Sequence, residues 1–144
     1  MDEMRKELLK VIGYSDKAVD VLDADLHCGE MQDPTVSVRH QDSCGDVLML
    51  DLRIESDTIH DVAFRIVGCS GLQATASGMA ALVIGMSVDK AERIGPHDVV
   101  SWLEGIPANK FECAEAACLT LREAIEEYRS ERSGEERVGT ERSG

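Results

Sequence analysis

The fold is decided in one unbroken stretch, VLMLDLRIESDTIHDVAFRIVGCSGLQATASGMAALV, residues 47 to 83. In its first half the apolar residues fall on alternate positions: Leu48, Leu50, Leu52 and Ile54, then Val62, Phe64 and Ile66. A period of two puts them on one face of a pleated strand. Glu55-Ser56-Asp57 interrupts the run, so 47–54 and 58–67 close as an antiparallel hairpin, sequential strands being the ones that usually pair. His60 then falls on the apolar side near the turn, the place of a satisfied histidine rather than a ligand. From Ser70 the period becomes helical, with Leu72, Ala76, Met79, Ala80 and Val83 on one stripe and Gly85 as the stop.

Working outward, residues 3–12 carry helical spacing through Met4, Leu8, Leu9 and Ile12, broken at Gly13. Ser15 is the N-cap of a second short helix through Ala18, Val19 and Leu22. Residues 24–35 are acidic, hold Gly29 and Pro34, show no period and predict a loop before a further strand over 35–40. Downstream come short helices over 88–94 and from Pro96 to Leu103, proline being tolerated in a first helical turn. A last helix starts near Phe111, buries Ala114, Ala117, Cys118, Leu121, Ile125 and Tyr128, and turns Glu115, Arg122, Glu126 and Arg129 to water. Beyond Tyr128 only Val138 is large and apolar, which predicts one domain over 1–128 and a disordered tail over 129–144.

The 144 residues carry 28 Asp and Glu against 15 Lys and Arg, a net charge of −13, which excludes a basic nucleic-acid binder. A 43% hydrophobic share with 3% aromatic supplies one aliphatic core. The longest apolar run, Met79 to Met86, is far short of the ~20 residues that span a bilayer. The charged N-terminus has no secretory character, so a cytoplasmic location with reduced thiols is expected. The motif Gly68-Cys69-Ser70-Gly71 lacks the Gly-Lys-Ser/Thr ending of a phosphate loop.

Five cysteines, an odd number, argue against a disulfide framework and leave reactivity or metal binding as the question. Cys44 precedes a strand, Cys69 lies where a strand hands over to a helix, and Cys113 opens the last helix. Helix N-termini stabilise thiolate, so Cys69 and Cys113 are both expected to be activated. Gathered at one end of the domain, three such thiolates suit an iron-sulfur cluster or zinc, and Asp46 adds a hard, easily exchanged oxygen. Cys118 lies on the buried stripe and reads as core. His97 reads as helix-start chemistry after Pro96. The cysteines stand 25 and 44 positions apart with no Cys-x-x-Cys pair, so spacing alone establishes no site.

The surrounding motifs do more. Cys44-Gly45-Asp46 before an apolar strand, Phe64-Arg65-Ile66-Val67-Gly68-Cys69-Ser70-Gly71, Pro107-Ala108-Asn109-Lys110-Phe111-Glu112-Cys113, and Tyr14-Ser15-Asp16-Lys17-Ala18-Val19-Asp20 together resemble the IscU/NifU-type iron-sulfur cluster assembly scaffolds. The resemblance covers about residues 14–128 and leaves the first helix outside. It implies an α+β fold, a three-stranded antiparallel sheet covered by helices on one side, and a cluster held by Cys44, Cys69, Cys113 and Asp46. It further implies sulfur delivered as persulfide by a cysteine desulfurase, with Cys113 as first acceptor, and delivery of the cluster to apo-proteins. The chain would then be a scaffold rather than a turnover enzyme, with sulfurtransferase activity as a side capacity. A 2Fe-2S cluster is the leading cargo and a 4Fe-4S cluster the second. Zinc is the alternative occupant, in a sulfur acceptor of the SufU type, although the long insertion of that branch is absent. A homodimer could share a cluster. Glu112 stands where the bacterial scaffold has His, and Ile106-Pro107-Ala108-Asn109-Lys110 stands in the loop that an Hsp70-type chaperone reads. His27 and Cys28 replace an Asn-Pro segment, so the fourth ligand is open among Asp46, Glu112, Cys28, His27 and a partner's group.

Overall fold

A computed structural model describes residues 1–43 and 45–143, with side chains through Ser133. Alternation builds the sheet as expected. Strands β1 (Val36–Gln41), β2 (Val47–Glu55) and β3 (Thr58–Val67) form an antiparallel sheet in the order β1-β2-β3. Leu48, Leu50, Leu52, Ile54, Val62 and Phe64 are buried on one face. Ser56 and Asp57 both take positive φ, 52° and 58°, the left-handed pair of a two-residue hairpin turn.

The register slips between Arg53 and Ile54, which pair with Asp61 and Ile59 and leave His60 as the extra residue. Alternation therefore changes phase there: Ile59 is fully buried and His60 is half exposed, its Nε2 3.8 Å from Glu55. Simple parity put His60 on the apolar side. The bulge is why it is not.

Helices α1 (Glu3–Val11), α2 (Asp16–Asp23), α3 (Ser70–Val83), α4 (Val88–Ala91), α5 (Pro96–Leu103) and α6 (Phe111–Ser143) complete the fold, with a 3-10 turn at Ala108–Lys110. Ser15 caps α2, its hydroxyl accepting from the Ala18 N–H at 2.9 Å and donating to the Leu103 carbonyl. Helix α3 is apolar nearly all round, with buried residues from Gly71 to Val83, because it lies between β3, α2, α5 and α6. Helix α6 crosses β1 and β2 and buries Ala114, Ala117, Cys118, Leu121 and Ile125 of the predicted stripe, with Tyr128 partly buried at its edge.

The outer face of the sheet carries a buried acid. Asp51 accepts the Met31 N–H at 3.1 Å and the Ser37 hydroxyl at 2.6 Å, folding part of the 24–35 loop over that face. The neighbouring His27–Gly29 segment pairs with the edge of β3, the Phe64 N–H reaching the His27 carbonyl at 3.0 Å and the Gly29 N–H the Phe64 carbonyl at 2.8 Å.

A disordered tail from residue 129 was expected, but α6 continues to Ser143. Its first added turn is tied to the body. Arg129 pairs with Asp89 and Glu92, Arg132 with Asp57, and the Tyr128 hydroxyl donates to Asp57 at 2.6 Å. These anchors lie far apart in sequence, so composition gave no sign of them.

Candidate functional site

Strand β3 ends at Val67 and α3 starts at Ser70, which leaves Cys69 as the N-cap residue with extended backbone, φ −89° and ψ 170°. Helix α6 passes the same end, with Cys113 two residues inside it. The two Sγ atoms are 3.8 Å apart, one thiol donating to the other. A separation of 44 residues is thus closed by the packing of α3 on α6.

Asp46 belongs to the same end. A Cβ at Gly68 would lie 3.2 Å from the Asp46 Cγ, so the carboxylate lies across Gly68, next to Cys69. Asp46 is set by a tight turn in which its N–H bonds to the Asp42 carboxylate at 3.1 Å and its carbonyl accepts from the Asp42 N–H at 3.0 Å. Cys44 lies outside the described residues. Among the described residues no group of three or more His, Cys, Asp and Glu is gathered as for a metal ion.

Lys110 and Tyr14, which the sequence offered only as members of motifs and not as part of the cysteine site, complete the surroundings. A Cβ at Gly71 would approach the Lys110 Cδ to 2.8 Å, so the lysine stem lies over the first turn of α3 and needs glycine there. Tyr14 is buried, with Gly13 against Pro107 and the Ser15 N–H bonded to the Gly105 carbonyl at 3.1 Å. Its hydroxyl is pushed up to about 12, first by burial and then by the charges of Cys69 and Cys113. Gly71 was the available clue to Lys110, a residue without a side chain in a first helical turn; Tyr14 offered no local clue.

The two thiols were expected to be activated alike, and they are not. At Cys69 burial opposes the charge. The first-turn N–H groups of Leu72 and Gly71, the Cys113 thiol and the Lys110 ammonium outweigh it and hold the thiol below its ordinary value. No cap hydrogen bond closes on its sulfur, so the N–H groups act as oriented dipoles. Cys113 is pushed up to about 12, by burial first, then by the charge of Cys69 and the hydrogen bond to it, with Asp46 adding to the effect. Two sulfurs this close share a proton, and the one nearer the α3 N-terminus carries the charge.

The other predicted candidates stand apart. Glu112 is exposed on α6. Cys28 is exposed, its thiol raised by burial and by Asp25, and it flanks the middle of β3 at Phe64 rather than the end that carries Cys69. Cys118 is buried and pushed up to about 11, as a core thiol should be. The ring of His97 lies 4.8 Å from that of Phe111 and helps fix the start of α6. Among the described residues no helix is long and apolar enough to cross a membrane.

Comparison with known proteins places the chain in a family. The model of the NifU-like N terminal domain matches residues 13–135. The iron-sulfur cluster assembly scaffold protein IscU 1 of Archaeoglobus fulgidus is 29% identical over 116 residues, covering 80% of this chain and 76% of that one. The iron-sulfur cluster assembly protein IscU of Plasmodium falciparum is 38% identical over 87 residues, covering 60% of this chain and 53% of that one. Among solved structures, a NifU-like protein (N-terminal) from Brucella abortus superposes with a TM-score of 0.58 at 19% identity, covering 77% of this chain and 88% of that one, a likeness of fold.

Proposed function

Because the chain belongs to the NifU-like N-terminal domain family, we propose that it is a scaffold on which an iron-sulfur cluster is assembled and from which it is handed to apo-proteins. The observation that supports this best is the Cys69–Cys113 pair, 3.8 Å between sulfurs, with Asp46 beside it at the mouth of α3. Two thiolates so placed can hold one iron, and Cys44, two positions before Asp46 in the sequence, is the third thiol of the proposed set. The cargo is a 2Fe-2S cluster, with a 4Fe-4S cluster as the larger alternative.

Sulfur arrives from a cysteine desulfurase as persulfide. The acceptor is Cys113: its sulfur attacks the terminal sulfur of the donor persulfide, an S–S bond forms, the donor's S–S bond breaks, and the donor cysteine leaves as thiolate. The Cys113 proton passes to Cys69, already hydrogen-bonded to it. Lys110 then balances charge gathered at the pair.

The test is anaerobic reconstitution with ferrous iron and sulfide, read by visible absorption and by iron and acid-labile sulfide content. Cys44→Ala, Cys69→Ala and Cys113→Ala should lose the chromophore, and Cys118→Ala should keep it. Equal cluster content in all four variants would remove the site assignment. Zinc that persists through reconstitution, without colour, would favour a zinc-bound sulfur acceptor.

A further inference from the structure

Helix α1 lies outside the family match, which begins at residue 13. It packs on α2 through the buried Leu9 and turns a second apolar face to solvent. Met4 is 74% exposed, Leu8 59%, Val11 80% and Ile12, at its C-cap, 60%. At ~100° per residue these four fall on one stripe, spaced i, i+4, i+7 and i+8. Glu3 and Glu7 border the stripe on one side and Arg5 on the other. The acids are themselves well exposed, with only long contacts to Lys6 and Lys10, 3.6 and 3.8 Å.

The geometry points to a second copy of this chain as the occupant of that face, with the two α1 helices packed side by side and parallel. The flanks favour this occupant and this direction. In a parallel pair the acidic flank of one helix faces Arg5 of the other, whereas an antiparallel pair sets acid against acid; flanking charges of this kind fix orientation in helix pairs. The spacing Met4, Leu8, Val11 is also that of alternating seam positions. The four side chains expose an area on the order of 450 Å² per protomer, so an isologous pair buries roughly 900 Å², the size of a weak, reversible interface.

A parallel pair carries the C-termini of both α1 helices to the same pole. Gly13 and Tyr14 follow directly, with Gly13 against Pro107 and Tyr14 feeling the charges of Cys69 and Cys113. Both cysteine sites would then open at one end of the dimer. This association uses no residue of the site and is independent of the cargo.

Sedimentation equilibrium of the full metal-free chain over micromolar to millimolar concentration tests it. The wild type should shift from monomer to dimer. Leu8→Glu should raise the dissociation constant at least tenfold, and an unchanged melting temperature and circular dichroism spectrum would show that the fold is kept. Arg5→Glu should also weaken the dimer. In Met4→Cys, a short bis-maleimide should link position 4 to position 4 of the partner, located by peptide mass spectrometry. A monomer at every concentration overturns the proposal, including a monomer that co-sediments with phosphatidylcholine–phosphatidylglycerol vesicles. A dimer untouched by Leu8→Glu, or, in an equimolar mixture of Met4→Cys and Val11→Cys, links only between positions 4 and 11, overturns it equally.

Discussion

When the metal-free chain is treated with iodoacetamide at pH 7.5 in the absence of oxygen, Cys69 should be alkylated long before Cys113. The reaction runs through thiolate. With its thiol pushed up to about 12, Cys113 is ionised in roughly three molecules per hundred thousand at that pH. An ordinary thiol near 8.5 is ionised in roughly one per ten, so Cys113 should lag such a thiol by about three orders of magnitude. Cys69 lies on the other side of that reference, held low by the α3 N-terminus and Lys110. On raising the pH, labelling of Cys69 should level off below the ordinary thiol range, while labelling of Cys113 should still be climbing at pH 10. Removing the neighbouring charge in Cys69→Ser leaves burial as the main effect, so Cys113 should label faster there than in the wild type. Cys118, buried and pushed up to about 11, serves as an internal reference for an intact fold. Peptide mapping over time reads all of this. Equal rates at the two site cysteines, or Cys113 first, would refute the assignment of the charge to Cys69.

Asp46→Ala removes the carboxylate beside the cysteine pair, and a reconstituted cluster should then pass more slowly to an apo-ferredoxin; transfer as fast as in the wild type would leave Asp46 as a turn residue only. Ser15→Ala deletes the α2 cap and the bond to Leu103, which should destabilise the fold by about 2 kcal/mol and lower the melting temperature by roughly 4–8 °C. Asp51→Ala leaves the Met31 N–H without its acceptor, a loss of about 2 kcal/mol by urea unfolding, and a change under ~0.5 kcal/mol would contradict the hydrogen bonds described. The Asp57 carboxyl is held below its usual value by the Tyr128 hydroxyl first and Arg132 second. A lowered folded value contributes stability above the unfolded carboxylate range and loses it as the pH falls through the folded value. The melting-temperature gap between wild type and Asp57→Asn should therefore be constant near neutrality and close in acid; a gap that widens in acid would be inconsistent with it.

Local order in this protein was written locally, and that is why much of it could be read. The hairpin follows from alternation in 47–67, the start of α2 from Ser15, and the start of α5 from Pro96, each a signal carried within a few residues of its effect. The phase change at His60 was hidden because a bulge depends on how two strands align, not on either one alone. The first added turn of α6 was hidden for a similar reason: Asp57, Asp89 and Glu92 hold Arg129 and Arg132 from elsewhere in the chain. Motif matching singled out Cys69, Cys113 and Asp46, which the fold brings to one end, yet the division of charge between the two thiols depends on which one caps α3 and on Lys110 crossing Gly71.

The hairpin and α3 occupy one continuous segment, 47–83, whereas Cys113 reaches Cys69 from 44 residues downstream. Contacts within the segment close small loops and form early, while a long loop closes late. On the route to the native state, Cys69 would thus sit at a formed helix N-terminus, charged and uncovered, before α6 arrives with its partner sulfur. Newly made chains would be most open to oxidation in that interval, and pulsed alkylation during refolding should catch Cys69 ahead of Cys113 protection; simultaneous protection of both would mean that the two halves of the site form together.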